Sequence, residues 1–229
     1  MKLVKIKKLT KQKFLNLYEL TYKNEDGKLF TWIEASRFDT RELVCINGKV
    51  KANCVCIIPK TIVDNEPALI ITKEFRLPIN NYVYGFPAGI IDGTESPELA
   101  AVRELYEEIG AKKFGKVSRL TDACLNSEGL TDESTITLEV EVLQLGKQHL
   151  EETEDITYEV VKIKYLNYYL KDKILGAKLG IYAPMIVQNY KLNQTIKQLK
   201  SQIAQTESSK NSTKTNHLSS NHIVEQSFN

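Results

Sequence analysis

In GFPAGIIDGTESPELAAVRELYEEIGA, residues 85–111, a loop with three glycines leads into a helical pattern. Ser96 is a preferred N-cap residue because its side-chain oxygen accepts a hydrogen bond from a free backbone N–H of the first turn. Pro97 suits the first helical position, and Gly110 favours a left-handed C-cap. The sequence therefore predicts a helix over residues 97–109.

Three glutamates lie on one side of this predicted helix. At about 100° per residue, Glu104, Glu107 and Glu108 fall within an arc of roughly 100°. The opposite side holds the larger apolar residues, which are Leu99, Val102, Leu105, Tyr106 and Ile109. We therefore expect the apolar side to pack on a sheet and the other side to present three negative charges together.

The acidic side has two interpretations. Most charged helix faces are simply solvated. Against this, Glu104 forms like-charge pairs with Glu107 and Glu108, each of which destabilises a helix by about 0.2–0.5 kcal/mol, and the helix holds only Arg103 to offset them. A divalent cation would remove the repulsion, because carboxylate oxygens are the hard ligands that Mg²⁺ and Mn²⁺ prefer. From the residues alone, both interpretations stay open.

The spacing of the fixed residues resembles the signature of the Nudix hydrolases, Gx5Ex7REUxEExGU. Gly89 and Glu95 begin the pattern, and RELYEEIGA at residues 103–111 completes it. Ala111 is the one soft departure, because the pattern prefers a bulkier aliphatic residue there. The segments LIITKEFRLPINNYVYGFPAGIID, SEGLTDES and EETEDI stand in the order found in ADP-ribose pyrophosphatases of this superfamily. The resemblance extends over roughly residues 13–195.

This resemblance implies an α/β fold, the Nudix α/β/α sandwich around a mixed sheet, with a small N-terminal β-hairpin region. Residues 1–50 would form that β region and exchange across a homodimer, and residues 51–200 would form the Nudix hydrolase domain. Residues 201–229 are rich in Ser, Asn, Thr and Gln, which predicts a disordered polar tail.

Hydrophobic patterning predicts the remaining elements. Aromatic and β-branched residues around an Asp-Gly turn indicate a β-hairpin over residues 13–38. VCINGKV, at residues 44–50, begins a β-rich block that continues through NCVCIIP and ALIITKEF, and a further strand is predicted near residues 135–145. Two helices are expected to close the fold, over residues 166–174 and 181–200.

The resemblance also implies a metal site. Glu104, Glu107 and Glu108 would ligate Mg²⁺, for which Mn²⁺ can substitute, together with the backbone carbonyl of Ala88. Glu95 and Arg103 resemble the pair that holds this cluster in place. For that pair, a purely structural ion pair stays open as the alternative.

Residues outside the helix complete the implied site. The base that takes a proton from the attacking water would come from the acidic loop EETEDI, with Glu152 favoured and Glu154 second; a solvated turn is the alternative. Glu133 matches another acid near the metals. Arg76 matches an arginine that contacts the substrate's phosphates and ribose, because a guanidinium meets phosphate oxygens bidentately.

The activity that follows from the resemblance is Mg²⁺-dependent hydrolysis of a nucleoside diphosphate linked to another moiety, with ADP-ribose giving AMP and ribose 5-phosphate. Glu128 stands where ADP-ribose pyrophosphatases usually carry proline. The alternatives are therefore a nucleotide sugar, a dinucleoside polyphosphate or a dinucleotide cofactor. An alternative of another class is a regulator of the same fold that senses a nucleotide without hydrolysing it.

Composition limits the partners. The 229 residues carry 31 basic and 29 acidic side chains, and the resulting net charge of +2 does not indicate nucleic-acid binding. The sequence contains no run of about 18 apolar residues, so we expect no membrane span. Four cysteines without a CxxC pair favour reduced thiols rather than a zinc site. We therefore expect a cytoplasmic protein that acts on a small molecule.

Overall fold

The computed structural model describes the backbone of residues 1–224 and the side chains through residue 207. Its first part is a three-stranded antiparallel sheet of β1 (Lys2–Lys8), β2 (Asn16–Lys23) and β3 (Leu29–Ser36) in that order. Strands β2 and β3 confirm the predicted hairpin, and Gly27 in its turn has a φ of 83°. Strand β1 was not predicted.

The segment VCINGKV does not begin a β-rich block, which corrects the prediction. Residues Val44–Asn47 form a helical turn, α1, that ends at Gly48 in the left-handed conformation. Leu43, directly before the turn, is fully buried in a small core with Tyr18 and Leu20. Gly48 explains the difference, because a left-handed glycine terminates a helical turn more readily than it continues a strand.

A mixed sheet forms the second part. Within the described residues it contains eight strands, and β10 runs parallel to β4 while the other pairs are antiparallel. The central order is β11-β5-β4-β10-β8, with β6, β7 and β9 paired to β5, β4 and β10. The strands are β4 (Cys54–Val63), β5 (Glu66–Arg76), β6 (Asn81–Gly85), β7 (Ala88–Ile90), β8 (Ala111–Arg119), β9 (Cys124–Leu125), β10 (Ser134–Leu145) and β11 (Ile156–Lys162). This sheet confirms the α/β class.

Helix α2 (Pro97–Ile109) packs on the mixed sheet with a face that differs from the predicted one. Its boundaries agree with the sequence: Ser96 Oγ accepts a hydrogen bond from Leu99 N, and Gly110 is left-handed. The side that packs on the strands holds six buried residues, which are Ala100, Ala101, Glu104, Leu105, Glu108 and Ile109. Leu99 is 63% exposed and Tyr106 42% exposed.

This corrects the expectation that the glutamates would face away from the sheet. The two alanines explain the difference, because their small side chains let the helix approach the strands closely along the arc that also carries Glu104 and Glu108. Two of the three carboxylates are therefore buried beside the sheet instead of presented to solvent.

The C-terminal part also differs from the expectation. Helix α3 (Leu166–Tyr169) is shorter than predicted, and α4 extends from Ala177 to Val224. Helix α4 continues past residue 201, where the disordered tail is predicted to begin, and the sequence from Met185 onward contains no Gly or Pro to end it. Residues 225–229 of the predicted tail lie outside the described part.

The chain divides into two compact units, Met1–Gly180 and the residues from Ile181 onward. Within the first unit, the N-terminal sheet is tied to the segment between β9 and β10. Trp32 Nε1 donates a hydrogen bond to the Gly129 carbonyl at 3.0 Å, and Ala35 N donates to the Leu130 carbonyl at 2.9 Å. None of the described helices has an apolar stretch long enough to span a bilayer.

Candidate active site

Strand β7 brings the first residue of the motif against α2. Residues Ala88–Ile90 pair with Cys54–Cys56 of β4, which fixes Gly89 opposite the second half of the helix. A Cβ placed on Gly89 would lie 1.8 Å from Glu104 Oε1. Only a glycine at this position therefore admits the Glu104 carboxylate in the place that it occupies.

Arg103 connects the motif acids. Its Nη1 donates to Glu104 Oε1 at 2.8 Å and to Glu107 Oε2 at 3.0 Å, while Nε and Nη2 donate to the two oxygens of Glu95 at 3.2 and 3.1 Å. Nη2 also donates to the carbonyl of Ile90 at 2.8 Å. The predicted Glu95–Arg103 pair is thus present, and it links the loop before α2 to two of the three helix carboxylates.

Burial raises the pKa of two of the three helix carboxyl groups. Removal from solvent raises the pKa of Glu104 to about 7, against the opposing effect of Arg103. The pKa of Glu108 is raised well above its usual value, first by burial and then by the nearby charges of Glu104 and Glu74. Glu108 Oε1 accepts a hydrogen bond from Ala88 N at 3.5 Å, which places the backbone of Ala88 beside this carboxyl group.

The acidic loop lies between β10 and β11, and its two candidate bases have different surroundings. Glu152 is exposed. Glu154 is half-buried, and its charge contributes to the raised pKa of both Glu104 and Glu108. Glu154 Oε2 accepts a hydrogen bond from Glu151 N at 2.9 Å, which orders the turn. Of the two, Glu154 is the one whose charge acts on the helix carboxylates.

Arg76 contacts Glu74, an acid that the sequence did not indicate as a site residue. Its Nη1 lies 2.9 Å from Glu74 Oε1, two positions earlier on β5. Burial raises the pKa of Glu74; Arg76 opposes this effect, and the charge of Glu154 adds to it. The i,i+2 spacing in KEFR was the available signal, because such residues share one face of a strand.

Glu133 lies elsewhere along the site. Arg37 Nε donates to Glu133 Oε2 at 3.1 Å, and Asn126 Nδ2 donates to Oε1 at 2.9 Å. Burial raises the pKa of the Cys54 thiol to about 11, and the charges of both Glu133 and Glu104 add to that effect. Glu133 therefore lies on the side of the sheet where β4 begins, held by an arginine from the N-terminal region.

The donor set fits a divalent cation in its chemistry, although a cluster is not preformed. Among the described side chains, no three His, Cys, Asp or Glu groups converge closely enough to hold a metal ion. Arg103 occupies oxygens of Glu104 and Glu107. A cation would have to compete with that guanidinium for two hard carboxylate oxygens, with buried Glu108 beside them.

Comparison with known proteins identifies the family. The NUDIX domain model matches residues 55–169, which is half of the chain and includes the whole motif. The chain belongs to the Nudix family. The resemblance drawn from Gly89, Glu95 and the RELYEEIGA segment is thereby confirmed.

Several Nudix relatives carry similar names. ADP-sugar pyrophosphatase of Mus musculus is 35% identical over 130 residues, covering 56% of this chain and 55% of the mouse protein. ADP-ribose pyrophosphatase of Saccharomyces cerevisiae is 27% identical over 192 residues, covering 77% and 80%. ADP-ribose pyrophosphatase of Bacillus subtilis is 32% identical over 123 residues, covering 51% and 64%. The chain thus spans about half the length of the mouse relative.

A solved structure supports the fold. A crystal structure described as an ADP compounds hydrolase superposes with a TM-score of 0.58 at 19% identity, covering 84% of this chain and 95% of that one. At this identity the similarity concerns the fold alone, and it confirms the Nudix arrangement around the mixed sheet.

Proposed function

We propose that this Nudix protein hydrolyses the diphosphate of a nucleoside diphosphate linked to another moiety, with ADP-ribose as the preferred substrate. Water would attack one phosphorus of the anhydride, and the bond from that phosphorus to the bridging oxygen would break. The products from ADP-ribose are AMP and ribose 5-phosphate. The names of the mouse, yeast and Bacillus relatives support this substrate class.

The observation that carries the proposal is the burial of Glu104 and Glu108 beside Glu107. Two buried carboxyl groups next to each other raise the free energy of the folded chain when they ionise, unless a cation joins them. Glu104, Glu107, Glu108 and the carbonyl of Ala88 would hold Mg²⁺ or Mn²⁺, which neutralises charge on the diphosphate and lowers the pKa of a bound water.

The other residues take distinct roles in the proposal. Glu154 accepts the proton of the attacking water, because its charge acts on the helix carboxyls whereas Glu152 is exposed. Arg76 binds a phosphate oxygen of the substrate after exchanging its contact with Glu74. Arg103 and Glu95 position the helix carboxylates.

Glu133 and the overall assembly complete the proposal. Glu133, held by Arg37 and Asn126, contributes an acid near the diphosphate. Exchange of residues 1–50 between two copies would form the homodimer that the resemblance implies. The substrate is a small molecule, the enzyme acts in the cytoplasm, and the net charge of +2 does not indicate nucleic-acid binding.

A substrate screen with a metal titration tests this function. The purified chain is incubated with ADP-ribose, a nucleotide sugar, a dinucleoside polyphosphate and a dinucleotide cofactor, each with Mg²⁺, Mn²⁺ or a chelator. We expect AMP to be released fastest from ADP-ribose and release to stop with chelator. Cleavage of another compound while ADP-ribose stays intact would contradict the substrate. Nucleotide binding without any hydrolysis would instead indicate a sensor.

A further inference from the structure

The C-terminal helix carries an apolar seam that the catalytic proposal does not use. From Gln188 to residue 207 the described side chains of α4 are exposed, except for the half-buried Tyr190 and Gln194. Six large apolar side chains on this helix are between 39% and 59% exposed, and these are Ile181, Met185, Leu192, Ile196, Leu199 and Ile203. A helix with such a stripe in water lacks the packing that normally stabilises helices.

The spacing of the exposed residues is that of a coiled coil. Tyr182, Met185, Asn189, Leu192, Ile196, Leu199 and Ile203 alternate by three and four residues, and we call this set the α4 seam. Written as heptads, Tyr182, Asn189, Ile196 and Ile203 take the a positions, and Met185, Leu192 and Leu199 take the d positions. At about 100° per residue, the members from Met185 to Ile203 lie within roughly 80°, a width typical of a coiled-coil seam.

The residue types at these positions specify the assembly. Ile at a with Leu at d, as at Ile196, Leu199 and Ile203, favours two parallel strands. A single Asn at an a position fixes register and favours a dimer, because in any other alignment its amide faces an apolar residue. Asn189 is that residue, and its Oδ1 now accepts a hydrogen bond from Asn193 Nδ2 of the same helix at 2.9 Å.

The flanking positions do not exclude an identical chain. The e and g positions along Asn189–Ile203 are Asn193, Thr195, Lys200 and Gln202, so a single charge borders the seam on each helix. Charged e and g residues set the choice of partner by attraction or repulsion across the interface. The two edges are nearly neutral, and the seam is therefore compatible with a copy of itself.

We propose that the α4 seam is a homodimerisation surface on which a second copy of this chain binds as a parallel two-stranded coiled coil, with Asn189 opposite Asn189 of the partner subunit. The seam is about 33 Å long at 1.5 Å per residue. This interface is separate from the exchange of residues 1–50, and it does not depend on the proposed hydrolase activity.

Site-specific disulfide formation tests the interface on the full-length chain. Leu199→Cys at a d position is compared with Gln198→Cys, one residue away and outside the seam, both in a Cys124→Ser background because Cys124 is exposed. Under mild oxidation we expect the Leu199→Cys chains to crosslink at least about tenfold faster, because pairing raises the effective concentration of the two thiols. Equal rates would overturn the proposal.

A second comparison separates seam packing from loss of the helix. Ile196→Asp added to the Leu199→Cys protein should abolish crosslinking, whereas Ser201→Asp, which introduces the same residue on the outer side, should leave it intact. Crosslinking that survives Ile196→Asp would contradict the proposal. Leu199→Cys chains that crosslink only to Met185→Cys chains would indicate antiparallel helices, and chains that stay uncrosslinked when purified would indicate a different partner.

Discussion

Two buried carboxyl clusters lie within residues 1–207, and they differ in what surrounds them. Burial raises the pKa of Glu104 in α2 to about 7, and burial likewise raises the pKa of Glu34 in β3 to about 7. Each has a second buried carboxylate nearby, Glu108 in one case and Asp132 in the other. A raised pKa alone therefore does not distinguish a catalytic cluster from another buried acid pair.

The neighbours make the distinction. Arg103 contacts Glu104 directly, and Gly89 leaves space for its carboxylate. Glu34 Oε2 accepts a weak hydrogen bond from the Cys45 thiol, whose Sγ lies 3.9 Å away. Glu34 lines a cavity of about 400 Å³ together with aromatic side chains, which are Tyr22, Phe30 and Trp32. The candidate active site is therefore distinguished by Arg103 and Gly89 beside several acids, and not by burial alone.

The largest expected effect separates the two clusters by activity. Glu108→Gln keeps the side-chain shape but removes a carboxylate from the proposed metal site, so turnover should fall about a thousandfold, the loss seen when one preorganised electrostatic group is removed. Glu34→Gln, a matched change in the other cluster, should leave turnover within a few-fold. Steady-state kinetics with saturating Mg²⁺ measures both, and similar losses in the two variants would remove the distinction.

The acidic loop provides the next test. Glu154→Gln should lower kcat about a hundredfold, the scale of a lost general base, while Glu152→Gln should have a much smaller effect. The pH dependence of kcat distinguishes the roles, because loss of the base flattens the limb on which the base ionises. A greater loss in Glu152→Gln would return the role of base to Glu152.

A substitution at Gly89 tests whether the space that it leaves for the Glu104 carboxylate is needed for turnover. In Gly89→Ala the new Cβ would displace the Glu104 carboxylate, so turnover should fall about ten- to a hundredfold, since misplacing a catalytic group by about 1 Å can have that effect. Thermal stability should change little, because the displaced atoms end a flexible side chain. Gly85→Ala is the control, since its Cβ would meet Thr72 Oγ1 at an ordinary 3.9 Å. Unchanged turnover of Gly89→Ala in steady-state kinetics would contradict the prediction.

The smallest effect concerns Glu34 and appears in stability rather than turnover. With its pKa raised from 4.5 to about 7, the folded chain keeps a proton that the unfolded chain releases. This contribution to the free energy of unfolding is fully present below pH 4.5 and is lost as the pH rises through about 7.

Denaturant unfolding of the wild type and Glu34→Gln across pH 4–8 measures that contribution. The free energy of unfolding of the wild type should fall more steeply with pH than that of the variant. Parallel curves would show that Glu34 does not titrate in this window. Asp132, whose Oδ1 has no hydrogen-bond partner among the described groups, is the neighbouring charge that acts on Glu34.

Local signals predicted much of the fold and the motif. The ends of α2 followed from Ser96, Pro97 and Gly110, since caps depend on residues within one turn. The pairing of Arg103 with Glu95 followed from the motif. These features depend on short sequence distances or on fixed spacing, which a single sequence retains.

Features that depend on packing were not predicted. The predicted buried face of α2 contained the large residues Leu99 and Tyr106. In the structure Ala100 and Ala101 are buried instead, because small residues permit the closest approach to a sheet. The effect of the Glu154 charge on the pKa of Glu104 and Glu108 depends on the conformation of the loop before β11. Helix α4 is longer than predicted. The polar composition after residue 200 favoured a tail, but that segment contains no Gly or Pro to end the helix.

The hydrogen bond between Trp32 Nε1 and the Gly129 carbonyl has a practical consequence. Trp32 is the chain's only tryptophan, and its indole is 54% exposed at the edge of the cavity beside Glu34. Intrinsic tryptophan fluorescence therefore arises from this one position and requires no label. A ligand that separates the N-terminal sheet from residues 127–131 will shift the emission of this single fluorophore. Exchange of residues 1–50 between two copies will do so too if it breaks the same contact.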